Sequence, residues 1–237
     1  MHNWSDPASA AQAILARPAS VLLADACALL DVRRAPVRSN MQGVAVSGAK
    51  ALLARAASGA GAPWFVAANL VVAEYERHAQ ESTNELERTL RTATAYVAAA
   101  RESAQHVLAA PAAPVIDYCA LGLHEALEIR AEALVGKLDV VSTDDLVCHT
   151  RAFRRTAMSE APASPGKPEI ADCAIIEHYL ALAGSLRVGG LTNPIVFVSS
   201  NTADYGSPKK IRSPLDKEFA NLGITFATDL AWANSIL

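Results

Sequence analysis

The chain has 237 residues, 51% of them apolar, and a formal net charge of −3 from 21 basic and 24 acidic side chains. The apolar share is ample for a core, and the near-neutral balance excludes a polycation, so any contact with a polyanion is local. Cys27, Cys119, Cys148 and Cys173 stand apart with no Cys-x-x-Cys pair, which argues against a zinc ribbon or thioredoxin motif and fits a reducing cytosol. No run of about 18 apolar residues is present, and the opening MHNWSDPASA lacks the features of a signal peptide, so a cytoplasmic protein without a membrane span is expected.

In chain order, residues 7–16 read as a short helix and Val21–Ala24 as a buried strand that ends on Asp25. Residues 39–42 read as a loop. Ser47 to Ala57 repeats small and apolar residues at helical spacing, with Gly59 as its C-cap. PWFVA (63–67) is a second strand. Asn69 can cap a helix whose face carries Val71, Glu74, Tyr75 and His78. No Gly or Pro interrupts 69–108, so helix runs on to about His106, in one piece or two.

Helices over 120–135 and 146–158 follow. The stretch from about 80 to 160 therefore reads as an all-helical insertion in an α/β frame. PASPGKP (162–168) is a linker or mobile loop. Helix over 170–183, strand over 194–198, strand over 223–227 and helix over 229–236 complete the alternation. Strands alternating with helices predict a mostly parallel central sheet flanked by helices, in one domain spanning 1–237.

Four segments each place an acid or amide against an apolar element: VLLADACALL with Asp25, NLVVAEYERH with Glu74, PEIADCAIIEHYL with Asp172, and PIVFVSSNTADYG with Asn201 and Asp204. Each has a bland reading. Asp25 can be a helix N-cap, Glu74 an exposed helix acid, and Asp204 part of an Asx turn. Glu169 reads first as a loop or cap acid and second as a further ligand. Asp172 lies in a first helical turn, where the macrodipole favours a carboxylate. It also shares a face with Ile175, Ile176 and Tyr179, where an unpaired charge is costly.

Together the acids point to one convergent site. Two carboxylates about 4 Å apart repel by roughly 4 kcal/mol at an effective dielectric of 20, so a cluster needs a cation. Oxygen ligands alone select Mg²⁺ or Mn²⁺ over zinc. His78, His106, His124, His149 and His178 show no HxxxH or HExxH spacing, which speaks against a zinc site.

In this order, LLADACALL, VVAEYERH, PEIADCAIIEH and IVFVSSNTADY resemble the four signature segments of PIN-domain nucleases. The resemblance covers about 120 residues, split around the helical stretch, and the SSNTADY loop is similar to that of a bacterial PIN-like subgroup. It implies a PIN-like α/β fold in which Asp25, Glu74 and Asp172 hold a Mg²⁺ or Mn²⁺ ion. It also implies that Ser199 orients the site. The fourth acid departs from the pattern: Asn201 occupies its nearest position and Asp204 follows three residues later. That leaves open which of the two fills it and whether a second metal binds.

Three basic groups lie near these motifs: Arg151, Arg154 and Arg155; Lys167; and Lys209, Lys210 and Arg212. Arg33, Arg34 and Arg38 follow the first acid. A nuclease needs local positive charge to offset its own carboxylates, so these are the candidate nucleic-acid contacts. The leading expectation is a metal-dependent phosphodiesterase, an endoribonuclease with RNA as partner. An antitoxin-like protein partner and a homodimer are compatible with it. One alternative is a haloacid-dehalogenase-like phosphatase with Asp25 as nucleophile, weakened by Cys27 where that family's second aspartate belongs. The other is a catalytically weak PIN-like module that binds RNA or protein.

Overall fold

The computed structural model describes residues 2–37, 43–59, 61–108 and 114–237. The chain begins with β1 (Asn3–Trp4), α1 (Pro7–Ala16), β2 (Val21–Ala24), α2 (Ala26–Arg33) and α3 (Val44–Ala56). It continues through β3 (Trp64–Ala68), α4 (Asn69–Leu108), α5 (Leu123–Val135), β4 (Asp139–Val141) and α6 (Leu146–Ala157). Then come α7 (Ile170–Val188), β5 (Ile195–Val198), α8 (Thr202–Tyr205), β6 (Gly206–Ser207), β7 (Lys210–Ile211), α9 (Leu215–Leu222), β8 (Ile224–Ala227) and α10 (Leu230–Ile236). Arg38 and the loop expected at 39–42 lie outside the described residues.

The central sheet has six strands in the order β1-β4-β3-β2-β5-β8, all parallel. Every residue of β2, β3 and β5 is buried, the mark of a parallel sheet covered on both faces. Right-handed crossovers put the helices between β2, β3 and β4 on one face and those leading to β5 and β8 on the other. The packing agrees: α2 lies against α4 and α5 and α3 against α10, while α7 packs on α1, α6 and α9. At Gly48 in α3, a Cβ would come within 2.3 Å of the Ala231 backbone nitrogen, so only glycine lets α10 approach this closely.

Local chemistry sets the boundaries. Asp6 caps α1 by accepting from the Ser9 amide at 2.7 Å, and Pro7 occupies the first turn. Asp145 and Asp229 cap α6 and α10 in the same way. Asn69, expected as a cap, instead accepts from the Thr143 amide and hydroxyl at 3.1 and 2.6 Å, tying the start of α4 to the loop after β4. α4 is a single helix of 40 residues, about 60 Å long at 1.5 Å per residue.

The stretch 80–160 is not all-helical. Asp139–Val141 forms β4, paired in parallel with β3 on one side and β1 on the other. Three residues are too few to show an alternating pattern, and burial by sheet neighbours decides the strand. β1, α8, α9 and the β6–β7 ribbon are further elements the sequence pattern leaves unannounced. Among the described residues no helix is long and apolar enough to cross a membrane.

Candidate metal centre at the sheet switch point

The chain runs from β2 outward to β3 and β4, then returns to the other side of β2 for β5 and β8. The β2/β5 boundary is therefore the topological switch point, where open α/β sheets leave a crevice at the carboxyl ends of the strands. Asp25 follows β2 directly and Ser199 follows β5 directly. The two meet across that boundary: the Ser199 hydroxyl donates to Asp25 Oδ2 at 2.5 Å. Asp25 Oδ1 accepts from the Ala26 amide at 2.9 Å, so the capping and the site readings of Asp25 are both realised.

Asp172 reaches the same place from the first turn of α7. That helix is pinned by Tyr179, whose hydroxyl donates to the Ala24 carbonyl at 2.6 Å and accepts from the Ala68 amide at 2.9 Å. One side chain thus ties α7 to the carboxyl ends of β2 and β3. Glu74, one turn into α4, the helix that follows β3 directly, is near enough for its charge to raise both Asp25 and Asp172.

The electrostatics report the convergence. Burial, followed by the charges of Asp25, Glu74, Glu169 and Asp204, pushes the Asp172 carboxyl up to about 8. Burial also raises Asp25 to about 6, against the pull of the Ser199 hydrogen bond, with the Glu74 charge adding to the rise. Glu74 is raised too, mainly by burial. Oxygens of Glu169, Asp172 and Asp204 all lie within 4.8 Å of one another, a spacing that can hold a cation. The donor set is all oxygen, which suits Mg²⁺ or Mn²⁺.

Glu169 is the acid that sequence reasoning underrated. It stands at the N-cap position of α7, yet its side chain makes no capping bond. Its backbone is left-handed at φ 41°, a strained conformation for glutamate. The available signal was its place one turn before Asp172.

Of Asn201 and Asp204, it is Asp204 whose carboxylate joins Glu169 and Asp172. It is buried, and Asn201 serves it: the Asn201 side-chain amide donates to Asp204 Oδ2 at 2.7 Å, and Asn201 Oδ1 accepts from the Asp204 amide. Ser199 supports the same loop by accepting from the Asn201 amide at 3.1 Å. Gly206 holds the next turn, with φ 87° and no room for a Cβ, which would lie 2.4 Å from the Lys210 carbonyl.

Several expected nucleic-acid contacts are otherwise engaged. The Lys167 ammonium bonds Glu169 Oε1 at 2.6 Å and both Asp204 oxygens at 2.8 and 2.9 Å. It is an internal counter-ion of the acidic cluster, and these partners hold its pKa up. Arg155 is buried at 2% exposure, bonded to Glu177, Glu218 and the Ala161 carbonyl, so it joins α6, α7 and α9. Arg212 donates to the carbonyls of Pro162, Ala163, Ala203 and Asp204 and clasps two loops. Arg33 is buried among Tyr75, Thr83, Glu128 and Glu132, and Arg34 pairs with Asp31.

Arg151 and Arg154 are exposed but line a cleft of about 1090 Å³ between α6, α7 and α9, whose lining includes none of the five site acids. The grouped carboxylates lie elsewhere, on Glu169, Asp172 and Asp204. Lys209 and Lys210 are exposed on the β6–β7 ribbon, directly after the Asp204 loop. No protein-family model matches the sequence, and neither the curated proteins nor the solved structures offer a match.

Proposed function

We propose that the protein is a metal-dependent phosphodiesterase acting on RNA. The observation that carries the reading is the gathering of Glu169, Asp172 and Asp204 oxygens within 4.8 Å of one another, with Asp172 raised to about 8 by burial and by the charges of Asp25 and Glu74 beside it. Such a cluster is unfavourable by itself and becomes favourable around a divalent cation. Asp25, Glu74 and Asp172 would hold the ion. When bound, it supplies an activated water and neutralises charge developing on a phosphoryl group.

The chain's own residues have distinct tasks. Ser199 fixes the Asp25 carboxylate, and Tyr179 fixes the helix that carries Asp172. Asn201 and Lys167 hold Asp204. Lys167 places a permanent positive charge where a second cation would otherwise be needed, so the proposed stoichiometry is one ion. That charge also complements a phosphate in the crevice. Lys209 and Lys210, exposed on the ribbon that follows the Asp204 loop, are the candidate contacts to the RNA backbone. The PIN-like resemblance favours RNA as the substrate.

The phosphatase alternative needs Asp25 as a free nucleophile. Asp25 is 3% exposed and both of its oxygens accept hydrogen bonds. The test is to incubate the full chain and its Asp25→Asn variant with mixed single-stranded and hairpin RNAs in Mn²⁺, Mg²⁺ or EDTA. Cleavage is expected only for the wild type with metal. Cleavage that persists in EDTA, or at the wild-type rate in Asp25→Asn, would end the enzyme reading. Metal-dependent RNA binding without cleavage would support the weak binding module.

A further inference from the structure

We propose that Glu87, Cys119 and His124 form a second metal site, of the zinc class, that staples α4 to the start of α5. One ligand atom from each lies within 4.8 Å of the other two. The three come from separate places: Glu87 from the middle of α4, Cys119 from the turn before α5, and His124 from the first turn of α5. None of them belongs to the carboxylate centre.

The donor chemistry differs from that centre. A thiolate, an imidazole and a carboxylate select a borderline-soft ion, so zinc is favoured over magnesium. The cysteine is presented deliberately. Asp117 Oδ1 accepts from the amides of Cys119 and Ala120 at 2.9 and 3.0 Å, which folds the turn and turns Cys119 inward to 9% exposure.

The histidine supplies an independent sign. Its side chain is 14% exposed, and Nδ1 is buried with no hydrogen-bond partner. Nε2 lies 3.9 Å from Glu125 Oε1, so Nδ1 is the nitrogen left without a partner, and an unmet buried polar atom is unfavourable until a ligand satisfies it. Zinc bonds of about 2.0–2.3 Å place tetrahedral ligands roughly 3–4 Å apart, so a modest rotation of the part-exposed Glu87 closes the set. Water would take the remaining position.

The surroundings give the staple a purpose. Leu86, Leu90, Cys119 and Leu127 form a small hydrophobic cluster apart from the main core. Four side chains contribute little burial, and a metal crosslink would fix this part of α4 to α5. Arg91 is the competitor: its guanidinium donates to Glu87 Oε1 at 2.6 and 3.1 Å. The ion must take Glu87 from Arg91, so Arg91→Gln is expected to tighten zinc binding by about tenfold.

Cobalt titration of the full, reduced chain tests the proposal, with Co²⁺ standing in for zinc. A thiolate-to-cobalt absorption band saturating at one equivalent is expected. It should persist in excess Mg²⁺ and in Cys27→Ser, the cysteine beside the carboxylate centre. It should vanish in Cys119→Ser and weaken at least tenfold in His124→Gln and Glu87→Gln, whose folding is checked by circular dichroism. Zinc at a hundredfold over its Kd should raise the wild-type Tm by about 5–10 °C. Absence of the band, its loss in Cys27→Ser, or unchanged affinity in folded His124→Gln would overturn the site.

Discussion

Asp172→Asn is the sharpest test of the carboxylate centre, because a structural acid and a metal ligand predict opposite signs. In the folded, metal-free chain Asp172 holds its proton up to about 8, against an ordinary value of 3.8. A carboxyl raised on folding contributes fully at a pH below its unfolded value and loses that contribution as pH rises toward its folded value. Metal-free stability should therefore fall between about pH 4 and pH 8. At pH 7 the penalty has built up over roughly 3 pH units at about 1.4 kcal/mol each, or about 4 kcal/mol. Water reaching this half-buried group and relaxation of its neighbours bring the expected gain from Asn to about 2–4 kcal/mol. The opposing loss of a carboxylate in the first turn of α7 is only about 0.3–1 kcal/mol.

For a chain of this length the gain corresponds to a rise in Tm of roughly 5–15 °C in EDTA at pH 7. Thermal melts at pH 5, 7 and 8.5, with EDTA and with Mn²⁺ or Mg²⁺, provide the measurement. The wild type should lose Tm with rising pH in EDTA and regain it with metal. Asp172→Asn should be flatter with pH, more stable without metal and nearly blind to metal. Lower stability of Asp172→Asn at every pH would show that Asp172 serves α7 alone and would refute the reasoning.

Four further expectations concern other residues. Lys167→Met frees Glu169 and Asp204, so calorimetry should find tighter metal binding or a second ion; an unchanged isotherm would remove Lys167 from the cluster. Asn201→Asp replaces a donor to Asp204 with a second carboxylate, a repulsion of about 4 kcal/mol at 4 Å, so the metal-free Tm should drop and activity should not rise. Arg155→Ala leaves Glu177 buried without its partner and should cost about 3–5 kcal/mol in denaturant unfolding, whereas Lys209→Ala with Lys210→Ala should leave stability within about 0.5 kcal/mol and lower both RNA affinity and its salt dependence.

The sequence by itself determined the elements whose signals are local. Asp6 and Pro7 start α1, and four apolar residues make β2, because capping and a buried run act within a few residues. Asp25, Glu74 and Asp172 stand out as candidate acids for the same reason: each adjoins an apolar element. β1 and β4, with two and three residues, carry too short a pattern, and only pairing in the sheet makes them strands. Charge roles were also beyond the sequence. Lys167, Arg155 and Arg212 read as a basic surface, yet their partners come from distant segments that the fold brings to them.

Glu169 and the trio Glu87, Cys119 and His124 make the same point from the ligand side. No local spacing links a mid-helix glutamate to a cysteine in a later turn. A metal-ligand set of this kind exists only once α4 and α5 pack, since coordination depends on distances in space and a sequence motif records only those fixed within one element.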